Sequence, residues 1–131
     1  MENTADSLVE RLKLIKKLNG NLWGWPNEKV QLKQAGDVLA TLIADFPENT
    51  SVLINMGALQ VDQGKYKEAM TFLKKAESIG SADRNLYLNI AIAMLNISAQ
   101  TRADAHLWFK KAEAFQADEL TIAAYFDPQG Y

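Results

Sequence analysis

Apolar residues recur along this chain at helical spacing, and runs alternating with a period of two are missing. Leu8, Leu12, Ile15 and Leu18 fall at i, i+4, i+7 and i+10. Ser7 with Glu10 three residues later has the spacing of a capping box, and Asn19-Gly20 supplies a stop. The loop NLWGWP follows, carrying Trp23 and Trp25. Asn27, after Pro26, predicts the cap of a second helix whose apolar face is Val30, Leu32, Ala35, Leu39, Leu42, Ile43 and Phe46. Pro47 ends it, because the residue before a proline is pushed out of the helical region. Asn49-Thr50 opens a third helix, stopped at Gln63-Gly64, and Lys65 to Ile79 forms a fourth, ended by Gly80. Asp83 caps a fifth, NLYLNIAIAMLNI; SAQT is the next break, and Arg102 to Phe115 makes the sixth. Asp118 has the chemistry of a cap for a short seventh helix through Phe126. The expected class is all-α, with antiparallel helix pairs and short turns.

The pairs repeat. Overlaying 50–81 on 84–117 places Leu53 on Tyr87, Met56 on Ile90 and Gly57 on Ala91, each 34 residues apart. Ala69 falls on Ala105, Leu73 on Phe109 and Ala76 on Ala112, 36 apart, so two extra residues enter at the turn NISAQT, where insertions cost least. A weaker copy precedes them: Ala35, Leu39, Leu42 and Pro47 lie 34 residues before Ala69, Leu73, Ala76 and Ser81. Two helices approach to about 8–10 Å where small residues sit at the crossing. Gly57 with Ala69, and Ala91 with Ala105, are expected to make that contact.

A unit of this length with Leu53-x-x-Met56-Gly57, then Gly64-x-Tyr66-x-x-Ala69, then Leu73 and Ala76, resembles the tetratricopeptide repeat (TPR). The resemblance divides the single domain 1–131 into a degenerate first repeat with the tryptophan loop (5–48), a second repeat (50–81), a third (84–117) and a capping segment with tail (118–131). It departs from the pattern where Ser81 and Ala117 replace the terminal proline and where the Trp23/Trp25 loop intervenes. The fold it implies is a short right-handed α-solenoid of about six helices plus a C-terminal capping helix. First helices of such arrays line a concave groove, and second helices the convex side.

Composition narrows function further. At 131 residues the chain can bury roughly two thirds of its unfolded surface. Its net charge of −2 argues against a nucleic-acid partner. Without cysteine there is no disulfide, thiolate nucleophile or thiolate metal site. His106 is the sole histidine, and no phosphate loop, metal spacing or nucleophile elbow occurs. No enzyme, cofactor or metal is expected. The N-terminal stretch lacks the apolar run of a signal peptide, and no segment approaches the ~18 apolar residues of a membrane span, so a cytoplasmic protein without membrane partners is expected.

Lys65, Lys67, Lys74, Lys75, Arg102, Lys110 and Lys111, interleaved with Glu68, Glu77, Asp104 and Glu113, read as a solvated outer face with local ion pairs. The candidate partner-binding wall is Ile54, Asn55, Ala58, Val61, Leu88, Asn89, Ile92 and Leu95, with Ser51, Asp62, Asn85 and Asn96 on the same faces. Relatives that clamp acidic chaperone tails use lysine and arginine there; here Asn85 and Asn89 stand instead, so no carboxylate clamp is expected. The fifth helix is apolar nearly all round and must be covered on every side. Its expected cover is the N-terminal helix, the C-terminal segment LTIAAYF, or another protein. Trp23 and Trp25 either pack under the first turn or form a secondary contact. These observations point to a non-catalytic adaptor or chaperone-like module that binds an apolar peptide or helix, with a self-assembling scaffold as the alternative.

Overall fold

The computed structural model describes residues 5–20 and 28–123, with side chains described for 7–17 and 33–123. Trp23, Trp25, Asn27 and the side chains of Leu18, Val30 and Leu32 lie outside the described residues. Among the described residues six helices follow one another: α1 (Ala5–Gly20), α2 (Glu28–Asp45), α3 (Thr50–Asp62), α4 (Tyr66–Ile79), α5 (Arg84–Ile97) and α6 (Ala99–Ala112). Among the described residues there is no strand.

Each helix packs on the next, and α3 also meets α1 and α5. The odd-numbered helices therefore share one side of the molecule.

Local chemistry explains most boundaries. Asn49 caps α3, its side chain accepting the Val52 N–H. Gly64 and Gly80 end their turns at φ 80° and 108°, a left-handed region that a side chain resists. Asp83 caps α5 by accepting the Asn85 N–H at 2.8 Å. The chain leaves helix at Phe46, immediately before Pro47.

Four expectations are corrected. Ser7 is not a cap, because α1 already runs from Ala5. The break before α6 is one residue, Ser98, and not SAQT: Ser98 and Thr101 form a reciprocal capping box, and the inserted residues become the first turn of α6. The helix also stops at Ala112, short of Phe115. The expected seventh helix does not begin at Asp118. Residues 118–123 make a turn and then run non-helically. The Asp118 carboxylate does accept an N–H two residues on, that of Leu120 at 2.7 Å, but this closes a local turn and not a helix.

The core has two connected parts. Leu53, Leu73, Leu86 and Ile90 centre one between α3, α4 and α5. Leu12, Ile15, Leu39, Leu42, Val52, Ala58 and Leu59 centre the other between α1, α2 and α3, and Ile122 joins it. α3 contributes to both, which is why it is apolar nearly all round. At the α3–α4 crossing a Cβ on Gly57 would lie 2.5 Å from the Leu73 Cγ, so the close approach is of Gly57 on Leu73. Ala69 is wholly buried beside it in the sequence of α4.

Candidate functional site: a non-helical segment held by asparagines

Residues 118–122 lie against the side shared by α1, α3 and α5, and three asparagines of the sequence-derived wall hold them there. Asn55, mid-way along α3 and fully buried, donates its amide to the Leu120 carbonyl at 2.9 Å. Its oxygen accepts the Ile122 N–H at 2.8 Å. One turn into α5, Asn89 donates to the Ile122 carbonyl at 2.9 Å. Asn85, one helical turn earlier, donates to the Thr121 carbonyl at 3.3 Å and to the Thr121 hydroxyl at 3.0 Å. Their 3–4-residue spacing on α5 puts Asn85 and Asn89 on one face.

The main chain of residues 120–122 is satisfied throughout. Leu120 N–H goes to the Asp118 carboxylate and Thr121 N–H to the Asp118 carbonyl. The Leu120 and Thr121 carbonyls and both polar groups of Ile122 go to the asparagines. Buried peptide groups outside regular secondary structure need such partners, and an amide side chain that donates and accepts imitates a neighbouring strand. Lys16 on α1 adds a bond to the Glu119 carbonyl.

Side chains complete the fit. Ile122 is 3% exposed and packs among Leu12, Ile15, Leu39, Leu42, Val52 and Leu59, with Leu120 partly buried beside them. Thr121 is 1% exposed, and its hydroxyl donates to the Asp83 carboxylate at 2.9 Å while accepting from Asn85. That same Asp83 oxygen accepts the Asp118 N–H at 3.3 Å.

Of the remaining wall residues, Ile54, Ala58 and Val61 are buried in the core, Ile92 and Leu95 nearly so, and Leu88 is half-buried against the same cluster. This surface is therefore covered, and of the three expected covers the structure places the C-terminal segment against α3 and α5. No family model, curated protein or solved structure matches the chain.

The charged outer helices hold more structure than a solvated face implies. Lys65, Lys67, Lys74, Lys75, Arg102, Lys110 and Lys111 are all exposed. Yet Lys74 and Lys111 both pair with Glu77, at 3.0 and 3.7 Å, and both lie over the Trp108 ring, at 4.3 and 5.1 Å. Lys111 also sits 4.8 Å over Tyr87, which stacks on Trp108 and Phe115. Such cation–ring contacts tie α4 to α6 at about 0.5–1 kcal/mol each where exposed. His106 is exposed on α6, its Nδ1 3.0 Å from the Ala103 carbonyl. Among the described residues no cluster of His, Asp or Glu could hold a metal, and no helix is long and apolar enough to cross a membrane.

Proposed function

We propose that this chain is a non-catalytic binding module of the tetratricopeptide type, a short α-solenoid whose odd-numbered helices hold an apolar, non-helical segment of another protein. Contacts of α3 with both α1 and α5 support the repeat architecture, as does the 34-residue register of Leu53 with Tyr87 and Met56 with Ile90. One observation carries the binding mode: Asn55 and Asn89 grip the Leu120 and Ile122 main chain, which any sequence presents, while an apolar recess takes one side chain. The ligand is thus a short segment whose main chain is free of helical hydrogen bonds, turning as residues 118–121 do before it meets the asparagines. In the resting chain residues 118–122 occupy the site in cis, acting as a built-in competitor. An adaptor or chaperone-like role in the cytoplasm accords with this mode.

The test uses the full chain carrying Ile122→Asp, which places a charge in the apolar recess and should free the segment, with far-ultraviolet dichroism confirming that the helices persist. A fluorescent peptide of sequence DELTIA, matching residues 118–123, should then bind saturably, and at least tenfold more weakly to wild type, whose own segment competes. Adding Asn55→Ala should abolish binding, since two buried main-chain groups lose their partner at about 1–3 kcal/mol each. Equal anisotropy for all three chains would defeat peptide capture.

A further inference from the structure

Asp83 does two tasks with its two carboxylate oxygens. One caps α5 through the Asn85 N–H at 2.8 Å. The other is turned to the held segment, accepting the Thr121 hydroxyl at 2.9 Å and the Asp118 N–H at 3.3 Å. Asn85 meets the same hydroxyl from the acceptor side at 3.0 Å. Asp83, Asn85 and Thr121 are 8%, 7% and 1% exposed, so water has little access to replace a lost partner.

We propose that Asp83 and Asn85 form a specificity subsite for a hydroxyl-bearing residue, so that the partner segment carries aliphatic–hydroxyl–aliphatic chemistry like Leu120-Thr121-Ile122. This rests on the peptide-binding reading above and names its ligand. The main-chain bonds of Asn55 and Asn89 are indifferent to sequence, and the Ile122 recess asks only for an aliphatic group of suitable size. Thr121 is where the site discriminates. Its hydroxyl accepts from Asn85 and stands within donor reach of both the Asp83 carboxylate and the Asp118 carbonyl, at 2.9 and 3.0 Å. Valine has the same shape but neither function, leaving the Asp83 oxygen only the Asp118 N–H and Asn85 only the Thr121 carbonyl, each at 3.3 Å. Sites built to hydrogen-bond a ligand hydroxyl reject the analogue lacking it more strongly than apolar pockets reject a missing methyl. A carboxylate or phosphate at this position is repelled by Asp83.

The experiment compares fluorescent DELTIA with DELVIA on the full chain carrying Thr121→Val, in which the built-in competitor has lost the same hydroxyl. DELTIA should bind at least tenfold more tightly than DELVIA. Asp83→Ser retains a capping side chain for α5 but removes the second acceptor oxygen. In that background the preference should shrink to about threefold or less, which a merely structural role of Asp83 would not produce. Equal affinities for the two peptides, with DELTIA binding still abolished by Asn55→Ala, would overturn the subsite while leaving peptide capture intact. An undiminished preference in the Asp83→Ser chain would likewise remove Asp83 from recognition. Repeating the pair of titrations on Ile122→Asp guards against incomplete release of the segment by Thr121→Val. Binding of neither peptide to either chain would sink the peptide-binding reading, and the subsite with it.

Discussion

Two glycines inside helices show how the same residue serves opposite ends. At Gly57 an added Cβ would sit 2.5 Å from both Cγ and Cδ2 of Leu73, a side chain that is itself fully buried. The helix-propensity gain of alanine, about 1 kcal/mol, is outweighed by overpacking of about 1–3 kcal/mol plus displacement of α4. Gly57→Ala should therefore lower the urea midpoint. At Gly36 the nearest atom to an added Cβ is Leu59 Cδ2 at 3.7 Å, an ordinary contact. Gly36→Ala should raise the midpoint, through a stabilisation of about 0.5–1 kcal/mol. The repeat register made the first glycine legible as a packing point, and the atoms nearest an added Cβ there are those of Leu73. At the site, Asn55 and Asn89 stood out as polar residues on apolar helices, but their role did not. Thr121 and the second task of Asp83 were invisible, because the hydroxyl and its carboxylate are 38 residues apart and the only local signal, the capping of α5 by Asp83, does not point to Thr121.

Helices were legible wherever the apolar period was long and the ends were marked by Asn49, Gly64, Gly80 and Asp83. The misreadings at Ser98 and Asp118 share one cause: a side-chain acceptor for a nearby N–H serves several local structures. At Ser98 it starts α6 at once, with Thr101 reciprocating, so the extra residues extend the helix. At Asp118 the equivalent bond to Leu120 closes a turn, because Asn55 and Asn89 capture the chain beyond it. Ser98→Ala should cost about 1 kcal/mol and expose the first turn of α6 to faster amide exchange, with α4 unaffected. Unchanged exchange at Thr101 and Arg102 would show that the cap is dispensable. The lysine runs at 74–75 and 110–111 belong to this scale too. They repeat with the helices, but Lys74 and Lys111 converge on Glu77 and Trp108 and so join one pair to the next.

Across the whole molecule, residues 118–122 add a further tie among α1, α3 and α5, which already meet through α3. Lys16 reaches them from α1, Asn55 from α3, Asn85 and Asn89 from α5, and Ile122 enters the core formed with α2. Burial of Ile122 alone contributes about 1.5–3 kcal/mol. Ile122→Asp should consequently lower the melting temperature by several degrees, and saturating DELTIA peptide should restore part of the loss by mass action. The most direct measurement is paramagnetic relaxation: a nitroxide on the C-terminal end of DELTIA, bound to the isotope-labelled Ile122→Asp chain. Broadening concentrated at the amides around Asn55 and Asn89, sparing exposed α6 positions such as Asp104, is the expected result. Broadening on the α4–α6 side, or none at saturating peptide, would contradict capture of a peptide segment by the asparagine wall.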